Sequence, residues 1–191
     1  MSEIIESHIG CRGNTLRLAS GSYFDLCNPE GSVIDINDIA ESLSKICRYG
    51  GHGTGFYGVA EHSVHVADLC IRDGHPKEAC LAALLHDAPE AYVGDVIKPL
   101  KIMLPEYSAI ELRIDKAICR RFSIEHGKYH DLIKKYDHEM LFCEKRTLFP
   151  EDAEKWHGEN VVSVVDVDIK MWPYYIAKRV FLRRFSEIMA M

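Results

Sequence analysis

His86 and Asp87 stand side by side at the end of the most apolar stretch of the chain, Leu81-Ala82-Ala83-Leu84-Leu85, with Glu90 and Asp95 close behind. Two further polar residues fall on apolar helical stripes. His62 lies three residues after Val59 and four before Val66. Asp137 lies four after Ile133 and four before Leu141, so both face inward at helical spacing. A buried ionised carboxylate is costly unless a partner compensates it. Any one of the four has an ordinary explanation, a hydrogen-bonded core histidine or an aspartate paired with arginine. Together, two imidazoles and two carboxylates aimed inward from three helices are satisfied at once by a divalent cation. Mixed nitrogen and oxygen ligands suit Mn²⁺, Fe²⁺, Co²⁺, Ni²⁺ or Zn²⁺, with positions left for water or substrate.

The elements that must carry these residues are helices. Val59 to Arg72 reads as one, Pro76 to about Tyr92 as the next, with Pro89 expected to kink or restart it just after the His-Asp pair. Tyr107 to Phe122 and Asp131 to Phe149 follow. An amphipathic helix at about residues 171–190 closes the chain. Near the N-terminus, Tyr23–Leu26 and Val33–Ile36 read as two short strands around an Asn-Pro-Glu-Gly turn. A helix capped by Asn37 or Asp35 comes next, with Ile39, Leu43 and Ile46 on one face, and it ends at the glycine-rich Arg48-Tyr49-Gly50-Gly51-His52-Gly53-Thr54-Gly55. The segment Asn160–Ile169 has strand composition. The expected fold is therefore mainly α, a helical bundle with a small β-hairpin near the N-terminus. A chain of 191 residues fits a single domain, since domains commonly run to roughly 100–200 residues.

Composition narrows the functional classes. The net charge of −6 gives the surface as a whole no attraction for a nucleic acid polymer. No apolar run approaches the roughly 18–20 residues of a membrane span, and the opening Met-Ser-Glu-Ile-Ile has no secretory pattern. Seven scattered cysteines, an odd number with no CxxC pair, speak against a zinc ribbon or a disulfide framework. Reduced thiols in a cytoplasmic protein are the expectation. The glycine-rich loop lacks the Lys-Ser/Thr ending of a phosphate loop and reads as a flexible cover over a pocket.

The order His … His-Asp … Asp, with the blocks RYGGH, VAEHSVHVA, LLHDAPEAYVGDVIKPLK and IKKYDHEML, resembles the HD-domain superfamily of metal-dependent phosphohydrolases. Within it, the blocks are similar to those of bacterial 5′-deoxynucleotidases and phage-borne relatives, over about Asp38 to Leu148. The resemblance implies an HD-domain bundle in which His62, His86, Asp87 and Asp137 hold one metal. It implies that Glu90 positions or deprotonates the attacking water and that Asp95 acts as the general acid or as a second proton-transfer group near the ester oxygen. Arg48 would hold phosphate, with His52, Lys98 and Lys101 as further contacts. The family often has tryptophan after this arginine; here Tyr49 takes its place as a stacking partner for base or sugar. The implied substrate is a small deoxynucleotide, foremost a deoxynucleoside 5′-monophosphate. The alternatives are a dATP-type triphosphohydrolase on the same metal site and a non-catalytic nucleotide sensor on the HD scaffold. Relatives of this kind form homo-oligomers, dimers or larger.

Overall fold

The computed structural model describes residues 13–151, 156 and 165–191. Among these, two strands, β1 (Thr15–Arg17) and β2 (Tyr23–Asp25), form an antiparallel hairpin in which Leu16 faces Phe24. Eight α-helices follow: α1 (Ile36–Leu43), α2 (Val59–Arg72), α3 (Lys77–Leu84), α4 (Glu90–Val93), α5 (Lys98–Lys101), α6 (Pro105–Arg121), α7 (His130–Leu148) and α8 (Tyr174–Ala190). The mainly helical fold with one small hairpin agrees with the sequence. The strand expected at Val33–Ile36 does not form. Val33 is exposed, Ile36 opens α1, and the hairpin partner is Thr15–Arg17 instead. Residues 29–31 make a short 3₁₀ turn. Of the Asn160–Ile169 segment, the described part, 165–169, forms no strand.

The centre of the fold is α2, whose Val59, Ala60, Val66, Ala67 and Cys70 have no solvent exposure. It packs against α3, α7 and α8. A helix enclosed on nearly every side must satisfy its polar residues inside the protein, and two of them shape the fold. His62 faces the cluster described below. Glu61, fully buried, accepts the backbone N–H groups of Lys170, Met171 and Trp172 at 2.8, 3.0 and 2.6 Å. That clamp fixes the chain entering α8, which begins at Tyr174 after Pro173 rather than at 171. Glu61→Ala is expected to lower unfolding free energy by about 3 kcal/mol, because three donors lose a charged acceptor, as read by urea denaturation.

The expected caps and breaks hold. Asp35 Oδ1 accepts the N–H of Asn37 at 2.7 Å and caps α1. Pro89 has no N–H to give, so α3 ends at Leu84 and α4 restarts at Glu90, leaving His86 and Asp87 on the intervening turn. Gly94 ends α4 with φ +80, a left-handed conformation that favours glycine, and redirects the chain into Asp95. Phe24 stacks on Tyr92 with ring centroids 3.9 Å apart, so the hairpin braces α4. No helix among the described residues is long and apolar enough to cross a membrane.

Candidate metal centre

Four of the sequence-predicted residues converge. His62 comes from the first turn of α2, His86 and Asp87 from the turn after α3, and Asp137 from α7. His62 Nε2 lies 3.3 Å from His86 Nε2, 3.2 Å from Asp137 Oδ1 and 3.6 Å from Asp87 Oδ2. His86 Nε2 lies 3.2 Å from Asp87 Oδ2. Ligand atoms of His62, His86 and Asp137 all fall within 4.8 Å of one another. Atoms bound at about 2.0–2.2 Å to one divalent ion stand about 2.8–3.6 Å apart in octahedral or tetrahedral geometry, so the spacing fits one such ion.

The far sides of the rings decide the tautomers. His62 Nδ1 is 2.6 Å from Glu144 Oε1, and His86 Nδ1 is 2.8 Å from the carbonyl oxygen of Ala83. A carboxylate and a carbonyl can only accept, so each Nδ1 carries the proton. Each neutral ring then turns an Nε2 lone pair to the centre. Two lone pairs and two carboxylate oxygens facing one another repel unless a cation or a proton lies among them. A hydrogen-bonded second nitrogen is the usual support of a metal-binding histidine.

Glu144 was not anticipated. It has no solvent exposure and binds His62 Nδ1, the Tyr57 hydroxyl at 3.0 Å, Arg48 Nε at 3.2 Å and the Tyr49 hydroxyl. A signal was present: Glu144 follows Asp137 by seven residues, two helical turns along the same face. Burial opposes its ionisation, but the Arg48 and His62 charges outweigh burial and lower its pKa to about 2.

Arg48 reaches the site from the turn Arg48–Gly51, in which Tyr49 and Gly50 are left-handed. Its Nη1 lies 3.3 Å from Asp87 Oδ2 and its Nε binds Glu144, so two of its five N–H groups are engaged. Tyr49 is half-buried with φ +59, its hydroxyl on Glu144 and its ring edge-on to Phe149 at 5.1 Å. That places Tyr49 as a prop for Glu144 and Arg48. The glycine-rich loop is docked, since Thr54 N–H donates to the Leu148 carbonyl at 2.8 Å, where the sequence reading expected a flexible cover. His52 and Lys98 are exposed, and neither side chain joins the cluster. Lys101 lines the cleft beside the cluster but is bound to Glu111 at 2.6 Å.

Glu90 and Asp95 flank the centre with raised pKa values. Burial lifts Glu90 most, followed by the charges of Asp87 and Asp95. Burial likewise lifts Asp95, against the opposing charge of Arg48. Glu90 Oε2 is buried with no hydrogen-bond partner. Asp87 is held far below the usual range: burial works against ionisation, and the His86 interaction overcomes it. For Asp137, burial again opposes ionisation, while the His62 hydrogen bond brings its pKa to about 2. Without a cation, burial and Arg48 disfavour a charge on His62, yet Glu144 and Asp137 lift its pKa from 6.5 to about 9.

These shifts fix a pH dependence. His62 binds its extra proton more tightly folded than unfolded. Its stabilisation is complete below pH 6.5 and is lost as pH rises through about 9. The raised Glu90 acts in the same direction, starting above its ordinary value of 4.5. Chelator-treated protein is therefore expected to show a lower urea midpoint at pH 9 than at pH 6. A saturating divalent cation, which replaces the His62 proton, is expected to reduce that difference.

No family model matches the chain. It is 37% identical over 174 residues to the uncharacterized protein YfdR of Escherichia coli K12, across 87% of this chain and 89% of that protein. The chain belongs to the YfdR family. An uncharacterized protein of Rhodobacter capsulatus is 41% identical over 113 residues, 56% of this chain and 58% of its own length. In this chain, the geometry above supplies a His62–His86–Asp137 group able to hold a metal ion, with Asp87 adjacent.

Proposed function

We propose that this chain is an HD-type, metal-dependent phosphohydrolase that removes phosphate from deoxynucleoside 5′-monophosphates. The observation that carries the reading is the pair of Nε2 lone pairs, 3.3 Å apart, turned by fixed tautomers onto a centre shared with two carboxylates. The ordered sequence blocks quoted above support the substrate class.

A divalent ion bound at this centre would offset phosphate charge and acidify a coordinated water. The protein's own groups do the rest. Three N–H donors of Arg48 remain for phosphate oxygens, in a planar fork suited to them. Glu90 orients the attacking water through its unpartnered oxygen. Asp95, whose raised pKa keeps a proton available nearer neutrality, supplies that proton to the leaving 5′-oxygen. Glu144 holds both His62 and Arg48 in place. The enzyme works on free nucleotides in the cytoplasm, as a homo-oligomer whose size sedimentation would measure.

The test is to incubate purified protein with each dNMP and dNTP, adding Mn²⁺, Co²⁺, Mg²⁺ or Zn²⁺, and to identify the products. Inorganic phosphate from dNMPs, abolished by chelator, is the expected result. Triphosphate released from a dNTP would instead mark a triphosphohydrolase. Metal-independent nucleotide binding with no product would mark a sensor.

A further inference from the structure

A cleft of about 520 Å³ opens from His86, Asp87 and Asp137 and runs between α6 and α7. Ser108, Glu111, Asp115 and Cys119 line it from α6, spaced three or four residues apart as one helical stripe. The N-terminal end of α6 is the end beside the catalytic carboxylates. There the Tyr107 hydroxyl donates to the Gly94 carbonyl at 2.7 Å, one residue before Asp95.

Lys101 and Lys134 are the lysines on the cleft walls. Of the lysines lining the cleft, Lys101 stands at the catalytic end, where its charge is felt by Glu90 and Asp95. Its Nζ lies 2.6 Å from Glu111 Oε1 and 5.5 Å above the Tyr107 ring. Lys134 is exposed on the opposite wall. Farther out, Asp115 holds His126 at 2.9 Å. One phosphate can be met by the cation site and the open donors of Arg48. A second and third phosphate, laid along this cleft, would meet the carboxylates of Glu111 and Asp115.

We propose that the Lys101–Glu111 pair sets the number of phosphates the site accepts: Glu111 occupies Lys101, so that the cleft seats the nucleoside of a monophosphate and rejects a polyphosphate chain. This rests on the deoxynucleotide reading above and adds the residue that would enforce it. Freeing Lys101 by Glu111→Gln removes one negative charge and releases an ammonium beside the phosphate position.

The experiment measures binding of dAMP and dATP to the full chain in excess Mn²⁺, by rapid filtration before turnover. Wild type is expected to bind dAMP at least about tenfold more tightly than dATP. Glu111→Gln is expected to gain about tenfold in dATP affinity, and adding Lys101→Ala to that variant should remove the gain. A gain in affinity cannot arise from misfolding. Wild-type preference for dATP overturns both the proposal and the monophosphate reading; a Glu111→Gln protein with unchanged dATP affinity overturns the proposal while leaving the deoxynucleotide reading intact. Binding of neither nucleotide by any form overturns that reading and this inference with it.

Discussion

Asp87→Ala is expected to lower kcat/KM for a deoxynucleoside monophosphate by about a thousandfold, the loss of several kcal/mol of charge stabilisation. Asp87 Oδ2 sits 3.2 Å from His86 Nε2 and 3.3 Å from Arg48 Nη1, so the substitution removes a cluster oxygen and one of the two carboxylates that orient Arg48. Glu144 still holds the guanidinium at Nε, so the fold is expected to survive, which circular dichroism and a urea melt would verify. A metal-independent nucleotide sensor would keep its ligand affinity in this variant, whereas an enzyme loses turnover. Asp87→Asn, which keeps the shape and one oxygen, is expected to fall between the two proteins in metal affinity.

Glu144→Ala has the largest expected effect on stability, a loss of about 3–5 kcal/mol, because a buried carboxylate is removed while its cationic partner stays. Arg48 and His62 would both lose their compensation, and the hydroxyls of Tyr49 and Tyr57 would lose an acceptor. Glu144→Gln is the more informative change. It preserves size and one acceptor oxygen but cannot be relied on to keep the proton on His62 Nδ1. Its metal affinity is expected to drop about 10–100-fold, the usual cost of losing the hydrogen bond behind a ligating histidine. Isothermal titration with Mn²⁺ alongside urea denaturation separates the two effects. A Glu144→Gln protein of native stability and unchanged metal affinity would show that the contact with His62 does not tune the centre.

The helices were legible because their signals are local. The apolar stripe of α2 gave its bounds, Val59–Arg72, and the same periodicity placed His62 and Asp137 inward. Pro89 marked the break that sets His86 and Asp87 on a turn. What was missed depends on distant pairing. Thr15–Arg17 becomes a strand because Phe24 is drawn against Tyr92 and the hairpin closes over it; nothing in those three residues announces it. Residues 165–169 have strand composition but find their anchor in Glu61, just beyond them at Lys170–Trp172, instead of in a neighbouring strand. Glu144 drew no notice in the sequence, because its place behind His62 depends on the packing of α7 against α2. Lys101 read as a further phosphate contact, and its pairing with Glu111 comes from the packing of α5 on α6.

Titration of chelator-stripped protein with Mn²⁺, followed by electron paramagnetic resonance, addresses the central claim most directly. One tightly held ion per chain is expected in the wild type, with the bound signal lost in His86→Ala and in Asp137→Ala while both variants remain folded. No stoichiometric binding in the wild type, or equal binding in the two variants, would contradict a metal centre built by His62, His86, Asp87 and Asp137.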